Sequence, residues 1–333
     1  MSAPASPMHS PEAARVAARL GLRPGRANID VFAGTLLALA RADRNILAVT
    51  SDSRGSGKLV PFGDALPAQL IEVGIAEQNL VGIAAGLASC GKKPFAVSPA
   101  CFLTARALEQ VKNDAAYSDN PVVLVGISAG VSYGALGTTH HSLHDFAALR
   151  AINNLTIMAP ADNFETCGAV RHAASAAHPV YLRFGKAPLC DISNPAEPFV
   201  AGKARVLCDG ADAALIATGE TVIHARLAAA YLRETAGIAC RVLSVPAIKP
   251  LDAPAILDAA RECRALVTVE EHMVSGGLGE ACAALVAQSP HHPRMRLLGI
   301  PDERTVTGSQ AEIFRHYGLT MEGVAAAVHS LLF

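Results

Sequence analysis

Short apolar runs alternate with stretches of helical spacing along the first half of the chain. The runs Pro94–Ser98 and Pro121–Ser128 are bounded by glycine, proline and charged residues, as the buried strands of a parallel sheet are. Apolar residues recur at helical spacing in Ala76–Ser89 and Phe102–Tyr117. This alternation predicts βαβ units and a mostly parallel sheet.

A second alternation follows a break that contains Pro188, Pro195 and Pro198. Ser309 with Glu312 predicts a capping box near the end of the chain. The fold class expected is α/β, with two doubly wound domains that each hold a mostly parallel sheet. The predicted parts are an N-terminal tail and helix (1–23), a first domain (24–190), a linker (191–201) and a second domain (202–333).

Composition excludes several classes of function. Half of the residues are hydrophobic, but no apolar run approaches the ~20 residues of a membrane span. The net charge of −1 gives no reason to expect nucleic acid as a partner. Eight cysteines without a CxxC pair argue against zinc and disulfides, and the first ten residues lack a secretory apolar core. We therefore expect a cytoplasmic protein with neither a membrane nor a metal site of its own.

Ligands of open α/β sheets bind beyond the carboxyl ends of the strands. The loop Asp52–Lys58 lies at such a place but lacks the glycine and the serine or threonine of a nucleotide P-loop. His140, His141 and His144 lie in a segment rich in glycine and threonine. Hydrogen bonding to a polar ligand explains these histidines better than metal binding does.

Glu77 stands among small and apolar residues at the start of a predicted helix. Such a carboxylate can simply favour the positive end of the helix dipole. It can also be a buried acid whose raised pKa lets it donate a hydrogen bond. Spacing alone leaves both interpretations open.

Several segments together resemble one family, the C-terminal half of transketolases. They lie in the family's order over residues 24 to 333, and they are Ile75–Asn79, Cys101–Gln110, Gly137–His141, Arg150–Asp162, Tyr181–Gly185, Val269–His272 and Gly276–Gly279. The resemblance implies a thiamine-diphosphate enzyme that transfers a two-carbon ketol unit from a ketose or its phosphate to an aldose or its phosphate.

The resemblance also implies roles for individual residues. Glu77 is the catalytic glutamate and contacts the cofactor's pyrimidine ring, and His140 acts on substrate oxygens as a second catalytic residue. The remaining residues divide into cofactor contacts, which are Phe102, Asp52 and Arg106, and substrate contacts, which are His141, Arg183 and Arg26. By the resemblance, Arg183 stands where the family binds a substrate phosphate; an exposed cation is the alternative. From the residue type alone, Phe102 is better explained as a residue of the hydrophobic core.

Three departures from the family qualify this expectation. Leu136 replaces an acidic residue that senses a sugar hydroxyl, and Ser128 stands about where a substrate histidine is usual. The family's GDG motif, which binds Mg²⁺ and the diphosphate, is absent. We therefore expect a separate diphosphate-binding subunit that holds most of the Mg²⁺ site, an α2β2 assembly, and an exposed apolar surface facing that partner.

Other functions share part of this pattern. A 1-deoxyxylulose-5-phosphate synthase-like or 2-oxoacid dehydrogenase β-type subunit would decarboxylate a keto acid with the same glutamate and fold. A regulatory protein that kept only the fold is a third possibility. The joint presence of Glu77, Phe102, His140 and Arg183 weighs against that third possibility.

Overall fold

A computed structural model of the chain describes residues 9–333. Part of the predicted N-terminal tail, residues 1–8, lies outside the described residues. The strands are β1 Arg23–Ala27, β2 Ile46–Thr50, β3 Leu70–Glu72, β4 Lys93–Pro99, β5 Val123–Ile127, β6 Thr156–Met158, β7 Val180–Arg183, β8 Pro188–Asp191, β9 Arg205–Cys208, β10 Ala213–Ala217, β11 Cys240–Ser244, β12 Ala247–Lys249, β13 Ala265–Met273 and β14 Arg294–Ile300.

Helices fill most of the connections between the strands. They are α1 Pro11–Arg19, α2 Asn28–Ala42, α3 Val60–Ala65, α4 Glu77–Ser89, α5 Ala100–Arg106, α6 Leu108–Gln110, α7 Asp145–Arg150, α8 Asn163–Ser175, α9 Val222–Ala236, α10 Ala253–Glu262, α11 Leu278–Ala287, α12 Gln310–His316 and α13 Met321–Leu332. No helix within residues 9–333 is long and apolar enough to cross a membrane.

Seven strands form the first sheet, in the order β12-β6-β7-β5-β4-β2-β3. All of them run parallel except β12, which pairs antiparallel with β6. The interior strands β2 and β5 are fully buried, because helices cover both faces of the sheet. This arrangement is the doubly wound α/β fold that the sequence predicts.

The second sheet has the order β14-β13-β10-β11-β9, with β9 antiparallel at its edge. The capping box of Ser309 and Glu312 opens α12 as predicted. The side chain of Thr320 caps α13. Both caps satisfy backbone N–H groups that the first turn of a helix leaves without partners.

Tertiary structure modifies the predicted elements at three places. The expected helix Phe102–Tyr117 divides into α5, α6 and a π-helical turn at Val111–Tyr117. The proline-rich stretch contains β8, which pairs with β1. Strand β12 belongs by sequence to the second alternation but joins the first sheet, so the two halves share a β-ladder. A three-residue strand carries too little periodicity to be recognised in sequence.

Candidate functional site

Four neighbouring strands deliver four of the predicted site residues to one edge of the seven-stranded sheet. Strands β3, β2, β4 and β5 are adjacent and parallel, so their carboxyl ends lie together. Glu77 follows β3 at the first position of α4, and Asp52 follows β2. Phe102 follows β4 on α5, and His140 lies in the segment after β5. The sheet therefore supplies the common edge that the sequence analysis expected.

Glu77 is buried and paired with a cation. Only 4% of its surface is exposed. Arg106, whose side chain is half exposed, donates from Nη1 to both carboxylate oxygens, at 3.1 and 3.2 Å. The carboxylate is thus held from the solvent side by Arg106, while α4 offers its N-terminal end to the same group.

Aromatic contacts connect this pair to His140. The Arg106 guanidinium lies 4.3 Å from the centroid of the Phe102 ring, a cation–π distance. Phe102 and Tyr133 each contact the His140 ring edge to face, with centroids 5.3 Å apart. His140 Nδ1 is 2.9 Å from the Thr139 hydroxyl, which fixes one ring nitrogen and leaves Nε2 for a ligand.

The structure adds two lysines that the sequence analysis did not select. Lys186 Nζ lies 4.3 Å from the centroid of the Tyr133 ring. Desolvation and, secondly, the charge of Lys58 lower the pKa of Lys186. Lys186 comes soon after β7, the neighbour of β5, so its position at a strand's carboxyl end was the signal available in the sequence.

Asp52 and Arg26 lie on the periphery of this edge. Asp52 is exposed, has a left-handed backbone with φ of +51°, and donates its backbone N–H to Glu72. Arg26 is exposed and donates to the Asp30 carbonyl. With Lys58, Arg26 lines a cleft of about 300 Å³. Within the described part of the chain, neither Asp52 nor Arg26 forms a hydrogen bond with Glu77 or His140.

Arg183 lies away from the open edge, in a buried ion pair. Its exposed fraction is 6%, and its Nε donates to Asp145 Oδ2 at 2.7 Å. Its Nη2 donates to the carbonyls of Ser142 and Glu271, at 3.1 and 2.8 Å. Burial opposes ionisation of Asp145, yet the charges of Arg183 and His272 keep the Asp145 pKa below its ordinary value. This placement does not favour a phosphate-binding role for Arg183.

The other two histidines of the predicted cluster point elsewhere. His141 is buried, and its Nε2 is 2.8 Å from the Gly134 carbonyl oxygen. Burial lowers the pKa of His141, so the ring is neutral near pH 7. His144 Nε2 is 3.3 Å from the Thr104 hydroxyl. Within residues 9–333, no three His, Cys, Asp or Glu side chains are grouped as a metal ion requires.

Comparison with known proteins defines the class. The model of the transketolase pyrimidine-binding domain matches residues 25–190, and that of the transketolase C-terminal domain matches residues 202–324. The chain belongs to the transketolase family. It is a transketolase-type transferase subunit that acts with a partner subunit, and its family depends on thiamine diphosphate.

Three known proteins show which members of the family the chain resembles. A subunit of the apulose-4-phosphate transketolase of Phocaeicola vulgatus is 51% identical over 88% of this chain and 93% of its own length. A solved structure described as a split gene transketolase, inactive beta4 tetramer, has a TM-score of 0.84 and 34% identity over 92% of this chain and 99% of its own. The 1-deoxy-D-xylulose-5-phosphate synthase of Syntrophus aciditrophicus is 35% identical over 97% of this chain but only 50% of its own length.

Proposed function

We propose that the edge built from Glu77, Arg106, Phe102 and His140 is this subunit's share of a ketol-transfer active site. The observation that carries the proposal is the buried Glu77 carboxylate at the same strand edge as the aromatic ring of Phe102 and the imidazole of His140. A carboxylate, an aromatic ring and an imidazole on neighbouring strands suit an aromatic nitrogen cofactor and a polyhydroxylated substrate.

The residues present fit thiamine diphosphate. Its aminopyrimidine needs a carboxyl group for a ring nitrogen and an aromatic partner for its face, and Glu77 and Phe102 offer both. When bound, the cofactor supplies the nucleophilic carbon and the electron sink for cleavage next to a ketose carbonyl. Arg106 covers both Glu77 and Phe102. When the cofactor binds, this exposed side chain must therefore either move away or contact the cofactor itself.

Each residue of the proposed site then has a defined role. Glu77 holds the pyrimidine nitrogen by a hydrogen bond, and Phe102 fixes the plane of the ring. His140 presents Nε2 to a substrate hydroxyl, since Nδ1 is engaged by Thr139. An imidazole in this position can accept or return the proton of that hydroxyl. Asp52 is a supporting cofactor contact at the rim. The buried His141 supports the substrate side indirectly, through its contact with the Gly134 carbonyl of the same segment.

A separate diphosphate-binding subunit completes the site in this proposal. It holds Mg²⁺ and the diphosphate, and two copies of each subunit assemble as α2β2. Ile75 is 75% exposed only two residues before Glu77, and Leu136 is 56% exposed four residues before His140. Large apolar side chains beside an active site are suited to a protein partner. The eight free cysteines fit a reducing cytoplasm.

We assign a phosphorylated ketose as the donor. The cations Lys58, Lys186 and Arg26 near the edge suit a phosphate better than does Arg183, whose donors are largely engaged by buried acceptors. The relative at 51% identity is named for apulose 4-phosphate, which makes that sugar the first donor to try. Leu136, an exposed apolar residue, fits a donor that offers no hydroxyl to an acid at this position.

The test is ketol transfer with thiamine diphosphate and Mg²⁺, by this chain alone and with the diphosphate-binding subunit. Apulose 4-phosphate is compared with a straight-chain ketopentose phosphate. We expect activity only in the mixture and a preference for the first donor. Activity by the chain alone would contradict the shared site, and an inactive but assembled mixture would contradict ketol transfer.

Decarboxylation of a keto acid is the second candidate, favoured by the similarity to 1-deoxy-D-xylulose-5-phosphate synthase. It predicts release of CO₂ when pyruvate replaces the ketose in the same mixture. Under our proposal pyruvate yields no CO₂ above the background of the Glu77→Ala complex.

A further inference from the structure

The segment that carries His140 is held by residues from the other half of the chain. We call residues 128–144, between β5 and α7, the His140 loop. Val131 donates its backbone N–H to Glu271 Oε1 at 2.9 Å. Arg183 donates to the carbonyls of both Ser142 and Glu271, so it ties the end of the loop to β13. The loop is thus hydrogen-bonded to a buried carboxylate of the second sheet.

Glycine permits this close approach. Gly130 has φ of +61°, and a Cβ at this position would lie 2.2 Å from the Glu271 carboxyl carbon. Gly185 meets a second buried carboxylate in the same way, since its Cβ would lie 1.8 Å from Glu220 Oε1. Both contacts exclude any side chain between the carboxylates and the first sheet.

A bridging amide fixes the two carboxylates relative to each other. Gln310 Nε2 donates to Glu220 Oε2 and to Glu271 Oε1, both at 2.9 Å. Burial and the neighbouring Glu271 raise the pKa of Glu220 to about 8. Burial raises the pKa of Glu271 too, but Arg183 opposes that rise. The negative charge therefore belongs on Glu271, where a backbone N–H and an amide both donate to it.

We infer that Glu271 is a positioning residue for catalysis, which sets the His140 loop from the second sheet through its hydrogen bond to Val131. The inference rests on the proposed role of His140. By this inference the second half of the chain contributes to catalysis, although no residue of that half has been assigned to the open edge. Glu271 does not contact the open edge itself and influences it through the loop, where His140 contacts Phe102.

The experiment compares two adjacent buried glutamates in the assembled two-subunit enzyme. Glu271→Leu removes the acceptor of the loop. Glu270→Leu is the matched control: Glu270 lies on the same strand and is equally buried, but accepts from Leu278 and Gly279 at the start of α11. Glu271→Gln keeps an acceptor oxygen for Val131. If the leucine variant does not fold, Glu271→Asp is used instead, because its shorter side chain moves the carboxylate away from Val131 but keeps the charge.

We expect Glu271→Leu to lower kcat/KM for the donor by about tenfold or more, with the apparent affinity for thiamine diphosphate unchanged. Glu271→Gln should restore the value to within about threefold, and Glu271→Asp should fall between the two. Glu270→Leu should leave the kinetics of the folded enzyme unchanged. Equal kinetic effects of Glu270→Leu and Glu271→Leu would overturn the inference.

Hydrogen exchange separates this inference from the proposed function. Amides of residues 129–144 should exchange faster in Glu271→Leu than in the wild type, and at the wild-type rate in Glu270→Leu. This readout needs no activity. A wild-type complex without ketol transfer would defeat the proposed function alone, whereas unchanged exchange in Glu271→Leu would defeat the positioning role.

Discussion

Two arginines of this protein pair with carboxylates in opposite surroundings. Arg106 holds Glu77 at the open strand edge, with about half of its side chain in solvent. Arg183 holds Asp145 where the two halves of the chain meet, with 6% of its side chain exposed. Arg106 also covers Phe102, and Arg183 covers Phe146, so even the cation–π contacts correspond.

The difference between the two pairs lies in what breaking them costs. An exposed arginine regains water when it leaves its partner, so Arg106 can move when a cofactor or a second subunit arrives. Arg183 would leave an uncompensated charge inside the protein. The comparison therefore separates an exposed pair that can open at low cost from a buried pair that holds the end of the His140 loop in place.

The largest effect is expected at the buried pair. Arg183→Met should lower the free energy of unfolding by about 3–5 kcal/mol, because Asp145 remains charged and buried. Urea denaturation of the full chain measures the loss. The double variant Arg183→Met/Asp145→Leu should recover part of it. A loss below about 1 kcal/mol with a raised KM for phosphorylated donors would instead support the phosphate role predicted from sequence.

The open pair should respond in activity and not in stability. Glu77→Ala should reduce ketol transfer by the assembled enzyme about 100- to 1000-fold, since a placed acid is lost from the cofactor site. The free energy of unfolding should change little. Glu109→Ala, an exposed carboxylate on the neighbouring α6, is the control and should keep full activity. Full activity of Glu77→Ala would remove its catalytic assignment.

The buried carboxylates next to Arg183 should make stability depend on pH. The folded-state pKa of Glu220, about 8, lies above its ordinary value of 4.5, so the folded state holds a proton that the unfolded state releases. Stability from this proton is complete below about pH 4.5 and is lost as pH rises through about 8. Relative to Glu220→Gln, the wild type should lose about 1–3 kcal/mol between pH 5 and pH 8.5. If the difference in unfolding free energy between the wild type and Glu220→Gln is the same at both pH values, this assignment is contradicted.

The smallest effect concerns Lys186, the cation beside Tyr133. Lys186→Met should raise KM for a phosphorylated donor about tenfold, with kcat nearly unchanged, because one charge for the phosphate is lost. KM for the unphosphorylated sugar should not move. Lys112→Met, an exposed lysine on the π-helical turn, serves as the control. Equal changes for both sugars would show that Lys186 does not bind the phosphate.

Sequence reasoning was strongest where a local pattern determines the outcome. Glu77 was expected at a helix start in apolar surroundings, and the structure places it there, at the first position of α4. The caps of α12 and α13 also follow from residues a few positions apart. The partner of Glu77 could not be predicted in this way, since Arg106 lies 29 residues away and on another helix.

The sequence by itself determined the α/β class and the family, and it predicted the strand edge at which the candidate site residues lie, because periodicity and motif order are properties of neighbouring residues. The tertiary structure decided which cations are held in buried ion pairs and which are not. Arg183 and Lys186 lie three positions apart, yet one is locked against Asp145 and the other reaches towards Tyr133. Burial and ion pairing depend on segments distant in sequence, such as β13 and α12, and no local pattern encodes them.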